Sequence, residues 1–424
     1  MQIIELTKEQ FDKFAFNHKN HNFYQTSQYG ALMNRHGYID IYVGLLDDGN
    51  NLIGATLILS YKKLGNFKVG YAPRGFLIDF NDFNLVATFT KLLKNYLFRL
   101  GYIYITIDPY VIHVERDIKG NPIPSGVNNG NLIELLGKLN YIHFGFNLNF
   151  ETAKPRWNIV TKLNNSSTQT FSSFNKETRN KIRKSYKRGV TIYKGNRNDL
   201  KLFYSLVGKK HSRKLNYYFD YYEIFSKNDM FDIYFAKLDP AVYMKTSKDL
   251  YENELKYNSE ITNLVQKNTK SKKKNKYISL KMSSDRLLSV YKNDVVNANN
   301  LFKAYPNEVV IATSAVIKYN KEAFFLIDGY NEKFKSFSAN HLIKWAVINE
   351  FTKKGYSSVH HNGITGNFDK SDPLYGLYEF KKGFNVEVVE YIGEFNLIIN
   401  KQTYNTYLRL SSLKNIFNTK NKHS

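Results

Sequence analysis

Sixty consecutive residues, 244–303, contain neither glycine nor proline, and apolar side chains recur through them at heptad-like intervals. Leu250, Tyr257, Ile261 and Leu264 mark one run; Leu288, Tyr291, Val295, Ala298 and Phe302 mark the other. Between them lies KSKKKNK, residues 270–276, a polar and basic tip. The spacing predicts two antiparallel helices paired as a coiled-coil hairpin that projects from the rest of the chain.

The flanking sequence obeys a different rhythm. IYVGLLDDGNNLIGATLILSYKKL reads as two strands around an Asp47-Asp48-Gly49 turn. LVATFTKLLKNYLFRLGY follows as an amphipathic helix closed by Gly101, and YIYITIDPY as a buried strand ending at Asp108-Pro109. A second unit opens with the strand RWNIVTKL and a basic helix stopped at Gly189. Strand and helix alternate again after residue 304, in VVIATSAVIKYNKEAFFLIDGY and SANHLIKWAVINEFTKKGY. The expected class is therefore α/β (α+β). One domain covers residues 1–150, a second covers 151–243 and 304–395, and the helical arm 244–303 interrupts the second. The tail, 396–424, is expected to pack on the first.

The charge balance narrows the partners. Sixty-one Lys and Arg oppose 37 Asp and Glu, a net charge of +24, which suits a polyanion such as nucleic acid or lipid headgroups. The absence of cysteine excludes disulfides, thiol nucleophiles and Cys-ligated zinc. MQIIELTKEQFDKF is too polar for a secretory signal, and no apolar run reaches 18 residues. A cytosolic protein with at most peripheral membrane contact is expected.

No G-x-G-x-x-G, Walker loop, G-x-S-x-G or H-E-x-x-H motif is present. His360 and His361 are adjacent, so a strand would turn them to opposite faces, and no metal is expected. Lys176, Arg179, Lys181, Arg183, Lys184, Lys187 and Arg188 crowd thirteen residues with only Glu177 opposing. A solvated helix face mixes signs to gain i,i+4 pairs, whereas this stripe suits phosphate contacts. The tip lysines, Lys272, Lys273 and Lys274 among them, suit either phosphate or plain solvation. In YAPRGFLIDF, Arg74-Gly75 before an apolar strand brings guanidinium and backbone close to a ligand, or makes an ordinary turn. YEFKKGFNVEVVEYIGEF, residues 378–395, reads as the entrance to a strand, with Lys381 and Lys382 between rings and projecting to opposite faces. Either both are surface, or one is aimed at an anion.

Taken together, YAPRGFLIDF, YIYITIDPY, RNKIRKSYKRG, the hairpin insertion, FLIDGYNEKFKSFSANHLIKWAVINEF, GITGNFDKSDPLYGLYEFKKGFNVEVVEYIGEF and LIINKQTYNTY resemble the Fem family of peptidoglycan-bridge aminoacyltransferases over nearly the whole chain. The C-terminal run is most similar to members that extend a glycine bridge. The resemblance implies two acetyltransferase-like (GNAT-like) domains with the arm in the second. It implies transfer of glycine or another small amino acid from aminoacyl-tRNA, with no cofactor, to the bridge of the lipid-linked precursor lipid II. Its implied partners are charged tRNA, that precursor, the inner face of the membrane, and a second copy or a homologue. The family's Phe-Lys motif falls on Phe380-Lys381, which makes Lys381 the implied catalytic cation; Asp108, at a strand end, is a proton acceptor of lower rank. Arg74, Gly75, Tyr330 and Lys382 are implied at the substrate, and Arg179, Arg183, Lys184, Lys187 and Arg188 with the tip lysines at tRNA. Two positions depart from the pattern. The lysine expected a few residues beyond Gln25 is missing, which leaves Arg35 as the nearest cation, and Arg213-Lys214 stand where Arg-Asp precedes the aromatic pair in relatives. Both concern the phosphates of the acceptor. They leave open a specialised paralogue, silent in catalysis or an immunity factor that alters bridges against a wall-cutting enzyme.

Overall fold

The computed structural model describes residues 1–163, 166–208, 213–267 and 271–420, the side chains of 271–272 and 413–420 excepted. The α/β alternation resolves into two mixed sheets. The first has seven strands: Gln2–Glu5, Ile39–Leu46, Leu52–Lys63, Phe67–Ala72, Tyr102–Ile107, Phe395–Ile398 and Tyr141–His143, in that spatial order. The second has eight: Ile112–Arg116, Glu387–Tyr391, Trp157–Lys162, Ser358–Ile364, Glu322–Tyr330, Val309–Tyr319, Phe231–Leu238 and Val190–Gly195. Each sheet contains a parallel pair, Phe67–Ala72 with Tyr102–Ile107 and Glu322–Tyr330 with Ser358–Ile364.

The chain exchanges strands between its halves. Ile112–Arg116, early in sequence, pairs with Glu387–Tyr391 in the second sheet, and Phe395–Ile398 returns to pair with Tyr102–Ile107 in the first. A shared core seals the junction: Phe11, Phe23 and Leu32 from one side pack in one cluster with Phe203, Tyr221 and Phe225 from the other.

The arm consists of Pro240–Lys267 and Ser271–Ala304. Tyr243 bonds Asp294 at the root and Asn258 bonds Ser284 further out, so the two helices run antiparallel; Ser284 also bonds Glu254. Their seam differs from the heptad reading: Ile261 and Ala298 are buried, but so are Ser247 and Ser284, while Tyr257 and Leu264 face outward. Polar groups that bond across the pair hold the middle of the seam. The basic tip belongs to the second helix from Ser271 onward.

Two further local expectations are corrected. The residues around Lys381 are helical, Tyr375–Lys382, and the strand begins only at Glu387. Tyr378 and Lys381 are buried, three apart, so a helical face and not a strand alternation turns Lys381 inward. Arg74-Gly75 follow a strand and do not precede one; the segment after them touches the sheet through a single bridge, Ala55 to Leu77.

Candidate active site

Two contacts fix the helix that carries Lys381. A Cβ on Gly383 would meet Thr178 Oγ1 at 2.0 Å, so glycine lets the start of the basic helix Lys176–Lys187 sit on the end of Tyr375–Lys382. The backbone N–H of Asn175, the cap of that basic helix, donates to the Gly383 carbonyl. Phe380 lies edge-on to His341, 4.7 Å between centroids, and packs on Phe384. Lys382 points outward, 3.3 Å from Glu379.

Lys381 is 5% exposed, and its ammonium donates to the Gly363 carbonyl at 2.6 Å. Among the described residues no carboxylate lies within 4.0 Å of it. Burial, reinforced by the nearby Lys344 and only partly opposed by Asp328, lowers its pKa to about 7. Lys344 takes that carboxylate for itself, 2.8 Å from Asp328, with its Nζ 3.3 Å from the centroid of Phe325. His361 stacks on Phe384, bonds Thr161 and is held neutral by burial. His360 turns the other way, onto Phe324 and towards Glu322.

Gly363 links this cluster to a second one. A Cβ there would strike Pro155 at 2.4 Å. On its other side the Pro155 carbonyl accepts from the Arg74 guanidinium at 2.8 Å. Arg74 has a left-handed backbone, φ 54°, a conformation a bulky residue keeps only when its surroundings enforce it. Here its N–H donates to Asp108 Oδ1 at 2.7 Å, and its guanidinium lies over Tyr391. Asp108 Oδ2 lies 3.8 Å from Arg74 Nη1, and burial raises this carboxyl above its ordinary value despite Arg74 and Tyr71. The adjoining Gly75 approaches Gln25 so closely that a Cβ would sit 3.1 Å from its Nε2.

Between the two halves Arg74, Pro155, Phe325, His360 and Tyr391 border a narrow passage, while Lys381, Gly363 and Asp108 stand outside its lining. A constriction of about 40 Å³, lined by Arg74, Tyr24, Tyr110, Lys154, Asn158 and Asn362, shares Tyr24 and Lys154 with a chamber of about 290 Å³. That chamber has tyrosine walls, including Tyr29, Tyr217 and Tyr221, and two cations, Lys154 and Arg213. No Asp or Glu is among the described residues lining it. Lys154, half-buried, has its ammonium 3.7 Å from the Tyr24 ring centroid; burial, opposed by Asp108, lowers it to about 7. Sequence reasoning missed Lys154, and nothing in ETAKPRW marks it. It also missed Lys344, which a helical wheel would have placed on the apolar face with Ile348 and Phe351.

The remaining candidates lie apart from this passage. Arg35 pairs with Asp220 at 2.7 Å and Glu223 at 3.2 Å. Lys214, exposed, stands at the start of the helix Leu215–Phe225, and Tyr330 packs half-buried on the core of the second half. In the basic helix, Arg179 binds the carbonyls of Ser172 and Phe174, and Arg188 grips Asp294 of the arm through two bonds. Arg183, Lys184 and Lys187 face solvent, with Arg183 over Phe171. Lys273 and Lys274 are exposed at the tip; the side chain of Lys272 and all of Lys270 lie outside the described residues.

The FemAB family model matches residues 6–411. The chain is 24% identical over 424 residues to an aminoacyltransferase FemB of Staphylococcus epidermidis, covering 98% of this chain and 99% of that one. It is 24% identical over 427 residues to an aminoacyltransferase FemA of the same species, covering 98% and 100%. The crystal structure of FemX superposes with a TM-score of 0.72 at 21% identity, over 96% of this chain and 99% of that one, which shows the same fold.

Proposed function

The chain belongs to the FemAB family, and from that premise we propose that it is an aminoacyltransferase of peptidoglycan bridge synthesis. In this reading it moves glycine, or another small amino acid, from aminoacyl-tRNA to an amine on the bridge of lipid II. The FemB and FemA likeness along the whole chain supports the reaction type. The two sheets are read as two acetyltransferase-like domains.

One observation carries the reading: Lys381 is an enclosed lysine with no carboxylate within 4.0 Å among the described residues. Aminolysis of an ester needs such a group. The free amine attacks the ester carbonyl, the C–N bond forms, and the carbonyl oxygen gains charge. The C–O bond to the tRNA ribose then breaks, and the proton lost by the amine ends on the ribose oxygen. An ammonium has three donors, and Lys381 uses one on Gly363, so donors remain for an oxyanion. Asp108, a buried carboxyl with a raised proton affinity, is the group suited to carry the proton. Arg213 and Lys154 supply positive charge for acceptor phosphates. The solvent-facing Arg183, Lys184 and Lys187 supply it for tRNA.

A second reading, a specialised paralogue with another acceptor or none, is favoured by Arg35, whose charge Asp220 and Glu223 already occupy. Incubating the purified protein with charged tRNA pools and lipid II variants, and weighing the products, separates the two. A mass gain of one amino acid on the acceptor supports transfer. Bound tRNA with no mass gain on any acceptor supports the silent paralogue.

A further inference from the structure

Ile142, Phe144, Phe146, Leu148 and Phe150 occupy alternate positions where the chain leaves the edge of the first sheet, and each is 44–54% exposed. Together they present on the order of 500 Å² of apolar surface, at the upper end of what a monomer leaves bare. Slack in the chain is not the reason. Phe144 N–H donates to the Glu394 carbonyl at 3.0 Å, and Gly366 N–H to the Leu148 carbonyl at 2.6 Å. Arg156 donates to the Asn147 carbonyl at 3.3 Å, while Phe146 stacks on His113 at 4.9 Å. The backbone is held from within and the side chains are left outside.

We propose that this ridge seats in the interfacial layer of an anionic bilayer. Its side chains are three Phe, one Ile and one Leu, the composition of an interfacial wedge. From Lys138 to Phe150 the sequence contains no acidic residue, and the chain as a whole carries +24, so the approach to an anionic surface is attractive. Among the described residues no helix is long and apolar enough to cross a membrane. Strand addition by a second copy is disfavoured, because the Asn147 and Leu148 carbonyls are already bonded inward. The ridge also ends beside the passage: Phe150 and Pro155 both abut Gly363, whose carbonyl holds Lys381. A seated ridge would bring the passage to headgroup level, where a lipid-linked acceptor presents its peptide. That use rests on the proposed function; the binding itself does not.

The test is co-sedimentation of the full chain with substrate-free vesicles of phosphatidylglycerol and phosphatidylethanolamine, and with phosphatidylcholine alone. The wild type is expected to partition onto the anionic vesicles and at least tenfold less onto the neutral ones. Phe144→Ser with Leu148→Ser is expected to lose at least tenfold in partition, with circular dichroism and transfer to a lipid-free acceptor unchanged. In a separate variant, Leu148→Trp should show a blue-shifted emission on adding anionic vesicles, independently of any loss of fold in the double variant. Failure of the wild type to partition, equal partition onto both vesicle types, equal partition of wild type and double variant, or absence of the blue shift would each overturn the inference. So would a wild-type dimer that the double variant dissolves without change in vesicle partition, since the face would then belong to a second copy. Ridge-dependent partition without any aminoacyl transfer would leave the inference standing and sink the functional reading.

Discussion

Lys381 donates to the carbonyl of Gly363 at 2.6 Å, across a wall whose far side holds Arg74. The bond links Lys381, through Gly363 and the Pro155 packed on it, to Arg74, and it anchors the inward one of two neighbouring lysines. It also leaves the ammonium in surroundings that disfavour its charge, and that yields a pH dependence.

A lysine is cationic below its pKa, and burial lowers that of Lys381 to about 7. If its cation is the working form, single-turnover transfer should fall as pH rises through about 7. Lys344→Met removes a like charge and releases Asp328, so it should move that fall to higher pH; Asp328→Asn should move it lower. A falling limb that neither substitution shifts would contradict this account of Lys381.

Salt dependence should report the outer face of the basic helix. Replacing Arg183, Lys184 and Lys187 by Gln should lower the log–log salt slope of tRNA binding by roughly one unit per lost contact. Arg179→Gln should leave that slope nearly unchanged and lower stability, because its guanidinium caps the carbonyls of Ser172 and Phe174. Filter binding at several salt concentrations checks both.

The junction of the halves predicts a stability effect. Glu390, 2% exposed, is bound by Arg116 at 2.6 Å, by His113 and by Arg156. Burial alone would raise its pKa, but His113, Arg116 and Arg156 outweigh it and hold the carboxyl below its ordinary value. The stabilisation is therefore present above the ordinary glutamate pKa and lost as pH falls through the lowered one. Glu390→Ala leaves buried cations unpaired and should cost roughly 3–5 kcal/mol at neutral pH, read by urea unfolding.

The arm should be dispensable for folding. At about 1.5 Å per residue its helices extend roughly 40–50 Å, rooted by Arg188–Asp294 and by the buried Tyr243 and Ala298. Replacing residues 251–287 with a Gly/Ser linker keeps that root. The variant should fold and lose far more activity with full-length charged tRNA than with a short charged mimic of the acceptor end. Equal losses on both would make the arm a packing element only.

What the sequence disclosed follows from the range of the forces involved. Helices and strands with strong periodicity were legible, the two long helices among them, because apolar spacing and the lack of glycine and proline are local; the heptad seam was not. The local geometry at Lys381 was not, because Val386 and Val388 suggest a strand while the helix before them is held by Thr178, about two hundred residues earlier. Of the groups in and beside the passage, Arg74, Asp108 and Arg213 stood out by motif or likeness. Lys154 meets Tyr24 only through the fold, and the pairing of Asp328 with Lys344, near Lys381, depends on three separate elements. The acidic partners of Arg35 and Arg188 were illegible for the same reason, since they lie 185 and 106 residues away.

The most direct test of the central claim is the single-turnover rate of aminoacyl transfer to the bridge acceptor, measured by product mass, for Lys381→Met beside Lys382→Met. Loss of a preorganised cation at a developing oxyanion costs roughly 10²–10³ in rate. Lys381→Met should fall by at least that much with tRNA affinity and circular dichroism preserved, while Lys382→Met stays near the wild type. A Lys381→Met protein that transfers at the wild-type rate, or a Lys382→Met protein that alone is inactive, would contradict the account.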